Sequence, residues 1–145
     1  MTKTLWLSVL LLTGGCFAVQ GVINGNLGKY AGPVQAAMIS FGVGTLTLAL
    51  ASASLGSMGL HVIGRVPWYL FTGGVLGAAV VASMAKTVPV LGSLASLTAM
   101  ITGQLITGLV LDHFGILGIP VVKVTWPRMI GVVLLIAGFR LITWK

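Results

Sequence analysis

Residues 5–27 read LWLSVLLLTGGCFAVQGVINGNL, 23 consecutive positions without a charged side chain. A bilayer has a hydrocarbon core about 30 Å thick, which a helix crosses with about 20 apolar residues. Four more apolar runs of near-spanning length follow: Val34 to Leu55, Trp68 to Ala85, Val88 to Leu111, and Met129 to Trp144, the last containing Arg140. Backbone polar groups in lipid must pair within the segment or with a closed barrel, and the chain lacks the alternating ten-residue segments of a barrel. The expectation is an all-α integral membrane protein: a single membrane domain, residues 1–145, with helices over about 5–27, 34–55, 68–85, 88–111 and 129–144. Punctuation fits these limits. Gly28, Gly32 and Pro33 separate the first two spans, Gly56 to Pro67 the next two, and Gly115, Gly118, Pro120 and Pro127 the last two, while Thr87 and Pro89 suit a first helical turn.

Composition excludes most alternatives. Of 145 residues 57% are hydrophobic and 6% charged, and mean hydropathy is +1.13, whereas a soluble domain carries about 25% charged residues. The net charge of +7 comes from Lys3, Lys29, Arg65, Lys86, Lys123, Arg128, Arg140 and Lys145. They lie scattered between apolar runs, as interfacial anchors do, and form no patch for nucleic acid. Trp6, Trp68, Tyr69, Trp126 and Trp144 fall at span ends, where amphipathic rings face the headgroups. Cys16 is the only cysteine, so neither an intrachain disulfide nor a cysteine metal cluster is expected. Asp112 is the only carboxylate side chain. No carboxylate pair is therefore available, and beside His113 it lacks a nucleophile; no enzyme, metal or cofactor is expected. Thr13-Gly14-Gly15-Cys16 resembles a lipoprotein cleavage site, but the apolar run continues to Leu27, so the segment reads as a retained span.

Five spans put the termini on opposite sides. Lys3, Arg65, Lys123 and Arg128 then lie on one face and Lys29, Lys86, Arg140 and Lys145 on the other, 4 against 4. Orientation follows Lys/Arg bias in short loops, so a balanced chain is expected to insert both ways and assemble as an antiparallel homodimer. Such a pair mimics the inverted repeats of secondary transporters.

Small residues recur at helical spacing: Gly21 and Gly25, Gly28 and Gly32, Gly73 and Gly77, and along the fourth span Gly92, Ser96, Ala99, Gly103 and Thr107. These suit close helix packing in lipid. Polar side chains inside spans must find a partner or line a wet cavity. Gln20 and Asn24, at i and i+4, share a face of the first span; Ser40 and Gln104 each lie about one helical turn from the centre of their own span. In an antiparallel dimer Gln104 of one copy comes level with Gln20 and Ser40 of the other. Gln20, Asn24, Ser40 and Gln104 are the candidate substrate contacts. Asp112 and His113 close the fourth span near Arg65, Lys123 and Arg128, which suits a terminal ion pair or cap, or a gating or coupling group.

The stretch Gly14-Gly15 through Gln20-Gly21-Val22-Ile23-Asn24-Gly25-Asn26-Leu27-Gly28, with Ser40-Phe41-Gly42-Val43-Gly44-Thr45-Leu46, resembles the first two helices of the YdcZ-like (DUF606) family of the drug/metabolite transporter superfamily. Gly73 to Gly77, Pro89 to Gly92, Gly103 to Ile106, Asp112 to Gly115 and Arg128 to Gly131 resemble its later segments. The resemblance implies a five-helix half-unit that works as a dimer in the inner membrane. Unlike the related small multidrug exporters, the chain has no glutamate in its first span. The leading expectation is a transporter with alternating access at a dimer interface, for a polar uncharged or zwitterionic solute. Its competitor is a dual-topology anion channel of the fluoride type, and a third class is a non-transporting assembly subunit. The partners expected are the solute, the bilayer and a second copy.

Overall fold

An apolar run in lipid buries its backbone most economically as a helix, and each of the five runs does so. The computed structural model describes residues 3–56, 59–60 and 63–144; Lys145, one of the eight basic anchors, lies outside them. The helices are α1 (Lys3–Ala31), α2 (Pro33–Ser54), α3 (Thr72–Leu91), α4 (Ser93–Phe114) and α5 (Trp126–Thr143), with a 3-10 turn at Trp68–Phe71 leading into α3. Five segments, Trp68–Leu91 counted as one, are long and apolar enough to cross a membrane, and no strand occurs among the described residues. At 29 residues α1 is about 43 Å long, longer than a hydrocarbon core of about 30 Å requires.

Two helix pairs are joined through a single glycine. Gly32 has φ 90 and ψ 154, and Gly92 φ 83 and ψ 159, a region open essentially to glycine alone. Helical bonding resumes at once on the far side: the amides of Ala36 and Ser96 donate to the carbonyls of Gly32 (2.9 Å) and Gly92 (3.2 Å). Gly92 therefore ends one helix and begins the next instead of joining the small-residue face of α4.

The third and fourth helices depart from the sequence-based limits. The break expected at residues 86–87 falls at Gly92, so Lys86, Thr87 and Pro89 belong to α3. Thr87 Oγ1 donates to the Ser83 carbonyl (2.9 Å) within the same helix and caps no new one. Proline at 89 removes a single amide, leaving the Ala85 carbonyl without its i+4 donor, and only glycine can turn the chain as position 92 requires. The other shifts are smaller: α1 extends to Ala31, and α5 starts at Trp126 with Pro127 in its first turn, where a missing amide is harmless.

The chain forms two compact units, Met1–Val90 and Leu91–Lys145. In the first, α1 packs on α2, and α3 closes on a glycine stripe of α1. A Cβ at Gly21 would stand 3.1 Å from the Met84 methyl, one at Gly25 3.2 Å from Pro89 Cδ, and one at Gly28 3.0 Å from the Ala85 carbonyl oxygen. Ala36, Ala37, Val81, Met84, Ala85 and Val88 form the buried apolar core. In the second unit α4 packs on α5. Elsewhere large apolar side chains face outward, Leu10 and Leu11 on α1 and Leu134 on α5 among them, an exterior that lipid solvates. Trp68, Trp126 and Trp144 are exposed at helix ends, and the Arg140 guanidinium lies 5.3 Å from the Trp144 ring centroid, turned toward the end of α5.

Candidate solute-binding grooves

Hydroxyls inside the helices mostly satisfy themselves. Thr47, Ser83, Thr98 and Thr102 each donate to the carbonyl four residues back, at 2.6 to 2.9 Å. An amide side chain has no equivalent local solution for both its donor and its acceptor, so Gln and Asn positions carry the information.

Gln20, Asn24 and Ser40 come together. With Leu12, Gly15, Cys16, Val19 and Ile23 they line an open groove of about 560 Å³ between α1 and α2. Asn24 is only 4% exposed, and its neighbours Gly21 and Gly25 are buried against α3. Among the described residues the side chains of Gln20, Asn24 and Ser40 make no hydrogen bond, and the one polar side-chain atom wholly covered without a partner is Ser96 Oγ. The Asn24 amide thus retains contact with the groove. A buried amide without a partner is costly, on the order of 1–3 kcal/mol, and this one sits where a polar solute or water would satisfy it. Cys16 stands on the same wall, outside the set of expected solute contacts, although its spacing of four from Gln20 signals the position.

Gln104 lies in the second unit, in a separate groove of about 340 Å³ between α4 and α5. Gln104, Gly108 and Asp112 form one wall, Arg128, Gly131 and Leu135 the other. Arg128 Nη1 pairs with Asp112 Oδ2 at 3.3 Å, both side chains about 40% exposed. The sequence offered Arg65, Lys123 and Arg128 as partners, and the loop after α4 selects Arg128. That loop is held by the Val122 amide, which donates to the Asp112 carbonyl (2.8 Å), and by the Val124 amide, which donates to His113 Nδ1 (3.4 Å). His113 also meets Phe114 edge-on at 4.8 Å. It lines neither groove, and its contacts position the loop.

On α4, Ser96 is buried while Ala99, Gly103 and Thr107 are exposed, and a Cβ at Gly103 would meet open space. The small-residue face is therefore unfilled over its middle.

Five apolar spans, with a few polar side chains set into otherwise apolar grooves, define a multi-pass membrane protein. The chain belongs to the family described as "Putative inner membrane exporter, YdcZ", whose model matches residues 5–141. It is accordingly a multi-pass protein of the inner membrane. No curated protein and no solved structure gives a significant match.

Proposed function

We propose that the chain carries a polar uncharged or zwitterionic solute across the inner membrane by alternating access, working as an antiparallel homodimer in which Gln20, Asn24 and Ser40 of one copy share a cavity with Gln104 of the other. The observation that carries the reading is Asn24, almost fully buried, without a hydrogen-bond partner among the described residues, and open to a groove shared with Gln20 and Ser40. No carboxylate side chain lies in α1, α2 or α3, so a solute held there is recognised by hydrogen bonds and not by a central counter-charge. The exposed Ala99, Gly103 and Thr107 face of α4 suits close approach by a second copy. The whole chain acts as one membrane domain without cofactor or catalysis, and the family description favours outward transport over a channel.

The test uses Cys16, the only thiol in the chain and a wall of the groove. In reconstituted protein, solutes that slow maleimide labelling of Cys16 are taken forward as labelled substrates for liposomal transport. Asn24→Leu and Gln20→Leu are expected to reduce transport at least about tenfold, the scale of one lost hydrogen bond to a bound solute. Because the Asn24 amide has no partner among the described residues, Asn24→Leu should keep or raise the melting temperature. A large fall in melting temperature with transport per folded protein unchanged would make Asn24 structural and remove the reading. Channel-like dissipation of an anion gradient by the wild type would replace it with the fluoride-type alternative.

A further inference from the structure

The groove between α4 and α5 has charged groups at its mouth, and their arrangement is unusual. Asp112 sits in the last turns of α4, and Arg128 is the third residue of α5. Helix C-termini carry partial negative charge and N-termini partial positive charge, so the carboxylate and the guanidinium each occupy the unfavourable end. Their mutual contact is a single 3.3 Å approach, about 40% exposed on both sides, and exposed pairs of this kind add little to stability. The first turn of α5 has no side-chain cap on its amides, and Pro127 supplies none. Behind the pair the groove stays open. Gln104 lies two positions of the same stripe below Asp112, about 12 Å along the helix, and a Cβ at the intervening Gly108, or at Gly131 on the facing wall, would meet open space.

We propose that this groove binds a zwitterion, its ammonium group on Asp112 at the C-terminus of α4, its anionic group on Arg128 at the N-terminus of α5, and its apolar body along Gly108 and Gly131 toward Gln104. One weak internal contact is exchanged for two charge-assisted ones, and each ligand charge matches the helix end it meets. The inference deepens the transporter reading by naming a solute class, and its part in transport rests on that reading. A dissolved zwitterion with an apolar side chain and the headgroup of phosphatidylethanolamine share this chemistry.

The full chain in phosphatidylglycerol nanodiscs is melted with L-leucine, with L-leucinamide, which lacks the carboxylate, and with 4-methylpentanoate, which lacks the ammonium; a fourth arm replaces part of the lipid with phosphatidylethanolamine and adds no solute. Leucine is expected to raise the melting temperature in a concentration-dependent way, about tenfold more tightly than either analogue. Asp112→Asn should transfer the response to 4-methylpentanoate, and Arg128→Gln to leucinamide, a switch that a purely structural ion pair would not produce. Stabilisation by phosphatidylethanolamine alone, lost in both variants, supports the same site with lipid as its source. If a single variant fails to fold, the exchange Asp112→Arg with Arg128→Asp keeps the pair and matches it to the helix ends; it should melt higher than the wild type and lose the leucine and lipid responses. Equal responses to all three compounds, no response to leucine or phosphatidylethanolamine, or a zwitterion response retained by the exchanged pair would overturn the proposal. Each of these leaves transport through the Asn24 groove standing, whereas leucine binding without any transport overturns the transporter reading and leaves this site.

Discussion

Gly115 closes α4 at φ 62, and two features make it irreplaceable there. The left-handed region costs a residue with a Cβ about 1–2 kcal/mol, and that Cβ would stand 2.7 Å from Val121 Cγ2 and 3.2 Å from the Ile119 carbonyl oxygen. Gly118, at φ 82, has open space around it. Gly115→Ala should therefore lower the melting temperature more than Gly118→Ala, since the second suffers backbone strain alone; equal losses in detergent would show that the contact with Val121 is slack. The same bend decides how much of the site could be read at this scale. That Gln20, Asn24 and Ser40 stand together was legible because polar side chains are rare in the spans and one helical period aligns the first two. The choice of Arg128 as partner of Asp112 was not, because it depends on the path that Gly115 and the His113 contact with Val124 impose on the following loop.

Between elements, the fit of α1 to α3 depends on the absence of side chains. Gly28 faces the Ala85 carbonyl, which Pro89 has deprived of its helical donor, and Gly25 faces the Pro89 ring. In lipid no hydrophobic drive holds helices together, so this close approach provides much of the attraction. Gly28→Leu would push its side chain against backbone that cannot move aside. We expect a melting loss of several degrees, equivalent to about 1–3 kcal/mol for overpacking, whereas Gly42→Leu on α2, where a Cβ meets open space, should be close to neutral. Similar melting of both variants would mean that α3 does not rest on this stripe. The first, second and fourth spans were plain in the sequence because an apolar run of more than 20 residues has few other fates, while the shorter third and fifth runs lengthen in the structure to Trp68–Leu91 and Trp126–Thr143. The boundary between α3 and α4 was misplaced because Thr87 and Pro89 resemble a helix start, and their real roles, a bond to the Ser83 carbonyl and a contact with Gly25, are set by the chain already being helical there.

For the whole molecule, the relevant quantity is the distribution of charge across the membrane. Moving the third boundary to Gly92 leaves Lys86 exposed in the last two turns of α3, at the same end as before, so the balance stays at 4 against 4. Pairing of Arg128 with Asp112 lowers the effective positive charge of the face that five alternating spans would assign to Lys3, Arg65 and Lys123. With so small a bias, orientation should respond to one or two added charges. Reporters that work on only one side of the membrane, fused after Lys145, are expected to give signal from both sides in the same cells. Two extra lysines before the reporter should move the population toward a cytoplasmic C-terminus, and Arg140→Gln should move it the other way. The shift matters because an antiparallel dimer needs both orientations. Fixing all copies one way should abolish transport, and coexpressing a second variant fixed the other way should restore it. A single orientation that added charges cannot change, or full transport by one fixed variant alone, would sink the antiparallel assembly.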